Sequence, residues 1–301
     1  MVRERSPEDR QGTASRRNDA PDRALACVGD NCVDCYLAPI GRRFAAGNAV
    51  NVAVGLLRGG FSVDYFGAVG DDTGGRQILA ALLGAGVGVD HVHRVSGPTS
   101  LTEIRLEAGE RHFVGFVEGA AEQYVPSAAD FTGLRDRPLV HAVNLLDCRT
   151  LFSFLLETGV PVSYDFDDRR DMTLVKGLAV AFFSATDDES VADAWRLAQA
   201  AVRHGADSAV VMCGDRGSVG CDGKQAFRLE ADAIEPIDTC GAGDSYIAAF
   251  LGARLNGRDL ESCMHAGGDA ATVTCLSLSA LPIDDRSTQE VQAKDVSPTG
   301  R

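Results

Sequence analysis

Ile237-Asp238-Thr239-Cys240-Gly241-Ala242-Gly243-Asp244 runs directly into an apolar segment over 245–255 (SYIAAFLGARL), a glycine-rich turn feeding a helix. Glycines just ahead of a helix let backbone N–H groups converge on an anion, and the helix N-terminus adds its partial positive charge. Such a turn cradles a phosphoryl group in transfer. Asp244, in the first helical turn, is placed to accept a hydroxyl proton from a substrate beside that anion hole. The structural alternative is that Gly241 and Gly243 only shape a loop and that Asp244 caps the helix.

Upstream of this turn, short apolar runs alternate with longer Ala- and Leu-rich segments, the pattern of strands joined by crossover helices. Strands are expected over 24–29, 62–69, 139–145, 160–166, 179–183 and 209–213, and helices over 46–58, 75–83 and 192–204. The class is α/β with a doubly wound sheet. The stretch 99–119 breaks the rhythm, alternating apolar and polar residues around Gly109-Glu110 as a half-exposed hairpin does. Together with 36–44 it is expected to form a small β lid over the ends of the parallel strands, where ligands bind in open α/β sheets.

The 301 residues carry 29 Lys and Arg against 43 Asp and Glu, a net charge of −14. That field opposes a phosphate-coated partner, so no nucleic-acid ligand is expected. No apolar stretch approaches the roughly 18 residues of a membrane helix, and 1–23 lacks the apolar core of a secretory signal. Nine cysteines at irregular spacings fit a reducing cytoplasm better than a disulfide framework, so the expected location is cytoplasmic. Cys32-Val33-Asp34-Cys35 has no second pair at zinc-ribbon spacing, and the six histidines are scattered, with His91 and His93 alternating in a strand. Residues 1–23 and 282–301 are charged or small and polar without a hydrophobic period, and are expected to be disordered tails flanking one domain over 24–281.

The full string Asp-Thr-x-Gly-Ala-Gly-Asp before an apolar helix resembles the C-terminal signature of the PfkB, or ribokinase-like, carbohydrate kinases, and the resemblance covers nearly all of 24–281. It implies a mostly parallel sheet flanked by helices with a small β lid. It also implies transfer of the γ-phosphoryl group of ATP to a primary sugar hydroxyl, with Mg2+, in a homodimer joined through the lid. Asp244 would be the catalytic base, Gly241, Ala242 and Gly243 the anion hole, and Asp238 part of the ATP site. Gly47-Asn48-Ala49-Val50-Asn51 resembles the family's N-terminal signature, with Ala46 where a second Gly is common. On the residues alone, Asn48 and Asn51 share a helix face and offer paired donors and acceptors to hydroxyls, or Asn48 is simply an N-cap. In Gly29-Asp30-Asn31-Cys32-Val33-Asp34 the final Asp matches the family's sugar-hydroxyl ligand. Gly67-Ala68-Val69-Gly70-Asp71-Asp72-Thr73-Gly74 is similar to a supporting loop in which Asp71 or Asp72 caps the next helix.

For ATP, Gly214-Asp215-Arg216-Gly217 resembles the family's Gly-x-x-Gly turn, with Met212-Cys213 in place of the usual Thr-Leu. Arg169, in Asp165-Phe166-Asp167-Asp168-Arg169, matches a phosphate-contacting Arg of fructokinase-like members, or is a solvated loop charge. The family's Asn-x-x-Glu element should lie within Ser184-Ala185-Thr186-Asp187-Asp188-Glu189, which has no Asn. Asp187, Asp188 or Glu189 is left to supply oxygen to Mg2+.

Within the family, Gly-Asp-Asn-Cys-Val-Asp and Gly-Asn-Ala-Val-Asn-Val-Ala-Val look most like the branch that phosphorylates fructosamine adducts of lysine, fructoselysine, at the 6-hydroxyl. In that reading Asp30, with Glu103 or Glu118 on the lid, faces the secondary ammonium, and Arg105 or Arg111 meets the lysine carboxylate. Two alternatives remain open: a kinase of a free sugar, in which Asp30 only binds backbone, and a catalytically silent sugar- or nucleotide-binding homologue.

Overall fold

Leu25–Gly29 (β1) is buried along its whole length, as an apolar run is when both faces of a sheet are covered. The computed structural model of the chain describes residues 24–107 and 109–280, so the expected tails at 1–23 and 282–301 lie outside the described residues. After β1 come β2 (Cys32–Tyr36), β3 (Arg43–Ala46), α1 (Asn48–Arg58), β4 (Val63–Gly70), α2 (Thr73–Ala85) and β5 (Gly88–Val95). A hairpin, β6 (Leu101–Glu107) and β7 (Glu110–Val117), precedes α3 (Ala128–Leu134), β8 (Val140–Val143), α4 (Cys148–Glu157) and β9 (Val162–Asp165). The chain continues through β10 (Val180–Ser184), α5 (Val191–Arg203), β11 (Ala209–Met212), β12 (Ser218–Cys221), β13 (Ala226–Leu229), α6 (Ala242–Leu255) and α7 (Leu260–Cys275).

Nine strands form one sheet in the order β13-β12-β11-β10-β9-β8-β1-β4-β5, antiparallel only at the β11–β12 and β12–β13 pairs. Alternation along β1 splits the core into two layers: Leu25 and Cys27 pack with α1, α2, α6 and α7, while Ala26 and Val28 pack with α3, α4 and α5. The sheet is therefore covered on both faces, as the doubly wound pattern requires. β1 lies between β4 and β8. The chain first builds outward to β5, then returns beside β1 and builds the other way, which opens a crevice at the C-terminal ends of β1 and β8. Asp30 and Asn144 are the residues that follow those two strands.

A second sheet, β3-β2-β6-β7, is the lid. It begins at Cys32 rather than at 36, because Val33 and Asp34 pair in parallel with Leu101 and Thr102 of β6. Asp34 thus rides on a lid strand instead of ending β1. α2 is longer at its start than the expected 75–83, since the Asp72 carboxylate accepts from Gly75 N–H at 2.9 Å and caps it. Elements without a strong period in the sequence also appear: the seven-residue α3, fixed by a Ser127/Asp130 capping box, and the four-residue strands β12 and β13. Among the described residues no helix is long and apolar enough to cross a membrane.

Candidate active site

α6 is apolar almost all round and packs between α1 and α7, which fixes where its N-terminus points. Gly55 of α1 has no side chain, and a Cβ there would lie 2.5 Å from the Cβ of Ala248, so the two helices touch at this pair. One turn earlier on each helix, Asn51 Nδ2 donates to Asp244 Oδ2 at 2.7 Å. The close helix contact thereby brings an amide to the buried carboxyl of Asp244. Gly241 is the N-cap of α6, so the first-turn N–H groups lie beside that carboxyl, that of Ala242 also donating to the Thr239 carbonyl at 3.3 Å.

The turn ahead of α6 is clamped from below. Asp238 is fully buried: its Oδ1 accepts from Cys240 N–H at 2.9 Å, and its Oδ2 accepts from Ser279 N–H at 2.8 Å and from the Tyr36 hydroxyl at 2.5 Å. Two further bonds tie the lid to the same turn. Arg111 Nη1 donates to the Thr239 carbonyl at 2.5 Å, and the Cys240 thiol donates to Asp34 Oδ2 at 3.4 Å. The Cys32 thiol holds the other oxygen, Oδ1, at 3.3 Å.

A cleft of about 420 Å³ at the β1/β8 crevice opens beside this turn. Asp30, Asp34, Gly47, Asn48, Asn51, Arg169 and Asp244 all line it. Gly47 is required by close approach: with φ at 114°, a Cβ would sit 2.4 Å from the Cα of Asn31. The bare backbone lets the start of α1 lie directly on the loop after β1, where Asp30 Oδ1 accepts from Ala49 N–H at 3.2 Å. Asp30 Oδ2 accepts from Asn144 Nδ2 at 3.1 Å, and Asn144 Oδ1 in turn accepts from Arg169.

The family described as pfkB family carbohydrate kinase matches over residues 25–164 and 179–285. The sequence is 36% identical over 257 residues to fructoselysine 6-kinase of Shigella flexneri, an alignment covering 84% of this chain and 97% of that protein. It is 30% identical over 259 residues to fructosamine kinase FrlD of Bacillus subtilis, covering 83% and 90%. The chain belongs to the pfkB family of carbohydrate kinases. It is a sugar kinase, a phosphotransferase with an alcohol group as acceptor. Its fold is that of Arabidopsis thaliana ribokinase complexed with ribose and ATP, at a TM-score of 0.74 and 22% identity over 86% of this chain and 94% of that one. A fructokinase with bound ATP from Xylella fastidiosa superposes with a TM-score of 0.70 at 21% identity, again covering 86% and 94%.

Three sequence expectations fall elsewhere in this pfkB kinase. Glu118 is exposed just past β7 and does not line the cleft; Glu122, four residues on, does. Asp238 is walled off inside the turn rather than open to a nucleotide, for the reason given above. Gly214 and Gly217 bound a tight turn after β11 that lies outside the cleft, and Arg216 joins it to the loop after β10 by donating to the carbonyls of Thr186 and Glu189. On that loop Glu189 Oε2 already accepts from Arg170 Nη2 at 2.7 Å and Thr186 N–H at 2.9 Å, while Asp187 is exposed. This shelf adjoins the anion-hole turn through Met212, whose Cε lies 3.6 Å from where a Cβ of Gly243 would be. Asn144, Glu122 and Asp165 were not singled out from the sequence. Asn144 and Asp165, at the ends of β8 and β9, come beside Asp30 and Asp244 through strand order, whereas Glu122 is set by its bonds from Ser100 and Gly119; no local pattern encodes either.

Burial drives the electrostatics of the pfkB cleft. Desolvation pushes the Asp244 carboxyl up to about 8, with Asp165 and Asp30 adding to it and Asn51 and Arg111 opposing it. Desolvation likewise raises Asp165 to about 7 and Asp30 to about 6. A carboxyl poised near neutral pH is better matched to an alcohol proton than an ordinary aspartate is. Linkage fixes the sign for stability: between pH 4 and 8 the folded state holds protons that the unfolded chain releases, so stability present at low pH is lost as pH rises through these values. The melting temperature of the ligand-free protein should fall across that window. Asp244→Asn should flatten the fall and melt at least about 3 °C above wild type at pH 8.5, at about 2–4 °C per kcal/mol. Parallel scanning calorimetry of the two proteins from pH 5 to 9 checks this, and an unchanged slope would mean that Asp244 is not held protonated by burial.

Proposed function

We propose that this chain is an ATP- and Mg2+-dependent kinase that phosphorylates the 6-hydroxyl of fructoselysine or a related fructosamine. The observation that carries the chemistry is the Asp244 carboxyl, buried beside the N-terminus of α6 and held by Asn51 at the inner end of a hydroxyl-binding cleft. The relatives that act on fructosamines, by their names, support the substrate class.

In this mechanism Asp34, Asn48 and Asn51 orient the sugar, with Asp34 kept in place by two thiols. Asn51 Oδ1 is buried without a partner among the described residues, an acceptor open to a sugar hydroxyl. Asp244 takes the proton of the primary hydroxyl as its oxygen attacks. The backbone N–H groups of Gly241, Ala242 and Gly243 meet the negative charge on the transferring group, and Arg169 adds a positive charge at the cleft edge. The turn bounded by Gly214 and Gly217 forms a shelf for the nucleotide.

The donor set fits Mg2+ held mainly by phosphate oxygens and water: among the described residues no three acidic, His or Cys side chains converge on one point, and this ion commonly takes only one or two carboxylates in kinases. Asp187 and Glu189 are the residues that would contribute, Asp187 with its carboxylate exposed. When bound, the ion would neutralise phosphate charge.

ADP release with ε-fructosyl-lysine, free fructose and ribose tests the reading. The fructosamine should show at least about a tenfold advantage in kcat/KM. Equal use of free fructose would identify a plain sugar kinase, and no turnover of any of them would leave a silent homologue.

A further inference from the structure

The cleft has an outer half whose chemistry differs from its polar floor. In the lid hairpin, Glu103 pairs with Gly115 and Ile104 with Phe113, so Val114 is an extra residue on β7. In an unbulged strand, residues three apart face opposite sides; the bulge instead turns both Phe113 and Phe116 toward the cleft on the same side as Arg111. Both rings are exposed, Phe113 by 62% and Phe116 by 56%, and across the mouth Leu146 is 68% exposed. Three large apolar side chains around the entrance do not suit a free hexose, which is hydroxylated at every carbon it would present there.

Where this apolar mouth meets the polar floor stands Glu122. Its Oε2 accepts from Ser100 Oγ at 2.6 Å and from Gly119 N–H at 2.7 Å, which fixes the side chain, while Oε1 has no partner among the described residues. Asp30, the sequence candidate for reading an ammonium, has both oxygens engaged by Ala49 and Asn144. Glu122 lies close enough to Asp30 to raise its pKa further, so the two form one negative region in which a cation is favoured.

We propose that the mouth is a subsite for an aliphatic arm joined to the sugar through a secondary ammonium: Glu122 Oε1 accepts from the ammonium, and Phe113, Phe116 and Leu146 cover the hydrocarbon beyond it. This rests on the fructosamine reading above. The subsite reads the arm and not the far end of a lysine. Arg105 pairs with Glu107 at 3.9 Å outside the cleft, and Arg111 is held at the inner turn, where its Nη1 donates to the Thr239 carbonyl and its charge acts on Asp34 and Asp244, so neither stands at the mouth to meet an α-carboxylate.

The test compares kcat/KM for fructose, N-methyl-fructosamine, N-butyl-fructosamine and ε-fructosyl-lysine. In the wild type, each added methylene from methyl to butyl should raise kcat/KM about threefold, and the butyl adduct should match fructosyl-lysine within about threefold. Phe116→Ala/Leu146→Ala should flatten that rise. Glu122→Gln should lower the ratio of each of the three adducts to fructose by about tenfold while keeping the rise with chain length. No dependence on chain length in the wild type, or one that survives the double substitution, overturns the subsite even if fructosamines are good substrates. Turnover of fructose with none of the adducts overturns the fructosamine reading itself, and the subsite with it. Should Glu122→Gln fail to fold, because Glu122 also holds Ser100 and Gly119, the exposed double variant carries the test alone.

Discussion

Asp244→Asn is expected to keep the fold and the affinity for ATP within about twofold, and to lower kcat at least roughly 10²-fold, the lower end for loss of a positioned base. The amide is the same size, and with its oxygen toward Asn51 it retains the 2.7 Å contact that orients the side chain. What it cannot do is take a proton from the attacking hydroxyl. The α6 N-terminus and the glycine turn are untouched, so the residual rate reports what positioning and the anion hole do alone. Steady-state ADP release together with calorimetric titration of ATP separates the two effects. Turnover close to wild type would remove Asp244 from the chemistry and return it to helix capping.

Gly47→Ala is expected to be nearly as damaging by another route. Its Cβ would fall 2.4 Å from Asn31 Cα and 2.9 Å from the Asp30 carbonyl oxygen, both backbone, so no side-chain rotation relieves the contact. A φ of 114° is itself unfavourable for any residue with a Cβ. Together these should destabilise the protein by at least about 3 kcal/mol, or roughly 6–12 °C in melting temperature. Because α1 would be displaced from the loop after β1, the Asp30 contact to Ala49 and the placement of Asn48 should go with it. A surviving folded fraction should therefore show a raised KM for the sugar. Thermal unfolding and sugar-dependent kinetics of the variant check this. Wild-type stability would mean that the loop and helix are not in contact as described.

The parts of the site readable in the sequence are those in which chemistry and conformation share one short segment. The run from Asp238 to Asp244 declares a turn, a helix start and a carboxyl at fixed spacing, and the structure keeps them together. Asn48 and Asn51, three apart on one helix, both line the cleft. Residues whose role depends on strand order were not legible. Asn144 meets Asp30 only because β8 returns to lie beside β1, and the place of Asp34 depends on β2 pairing with β6 across the intervening stretch from β3 to β5. The lid failed for a local reason. The local pattern of 110–117 does not set where β7 ends: the strand stops at Val117, so Glu118 lies past it and is exposed, while Glu122, in the segment that follows, is the acid that lines the cleft. Asp238 differs from expectation because a motif position reveals that a carboxylate is needed but not what it holds: here three donors, from the turn, the lid and the segment after α7.

The most direct test of the central claim is 31P NMR of the product formed from ε-fructosyl-lysine and ATP by the wild-type protein, with Asp244→Asn run beside it. The account predicts stoichiometric ADP and a single phosphomonoester whose phosphorus couples to the two protons on carbon 6, formed at least roughly 10²-fold more slowly by the variant. Phosphate on any other sugar oxygen, or an ester formed equally fast by both proteins, would contradict it.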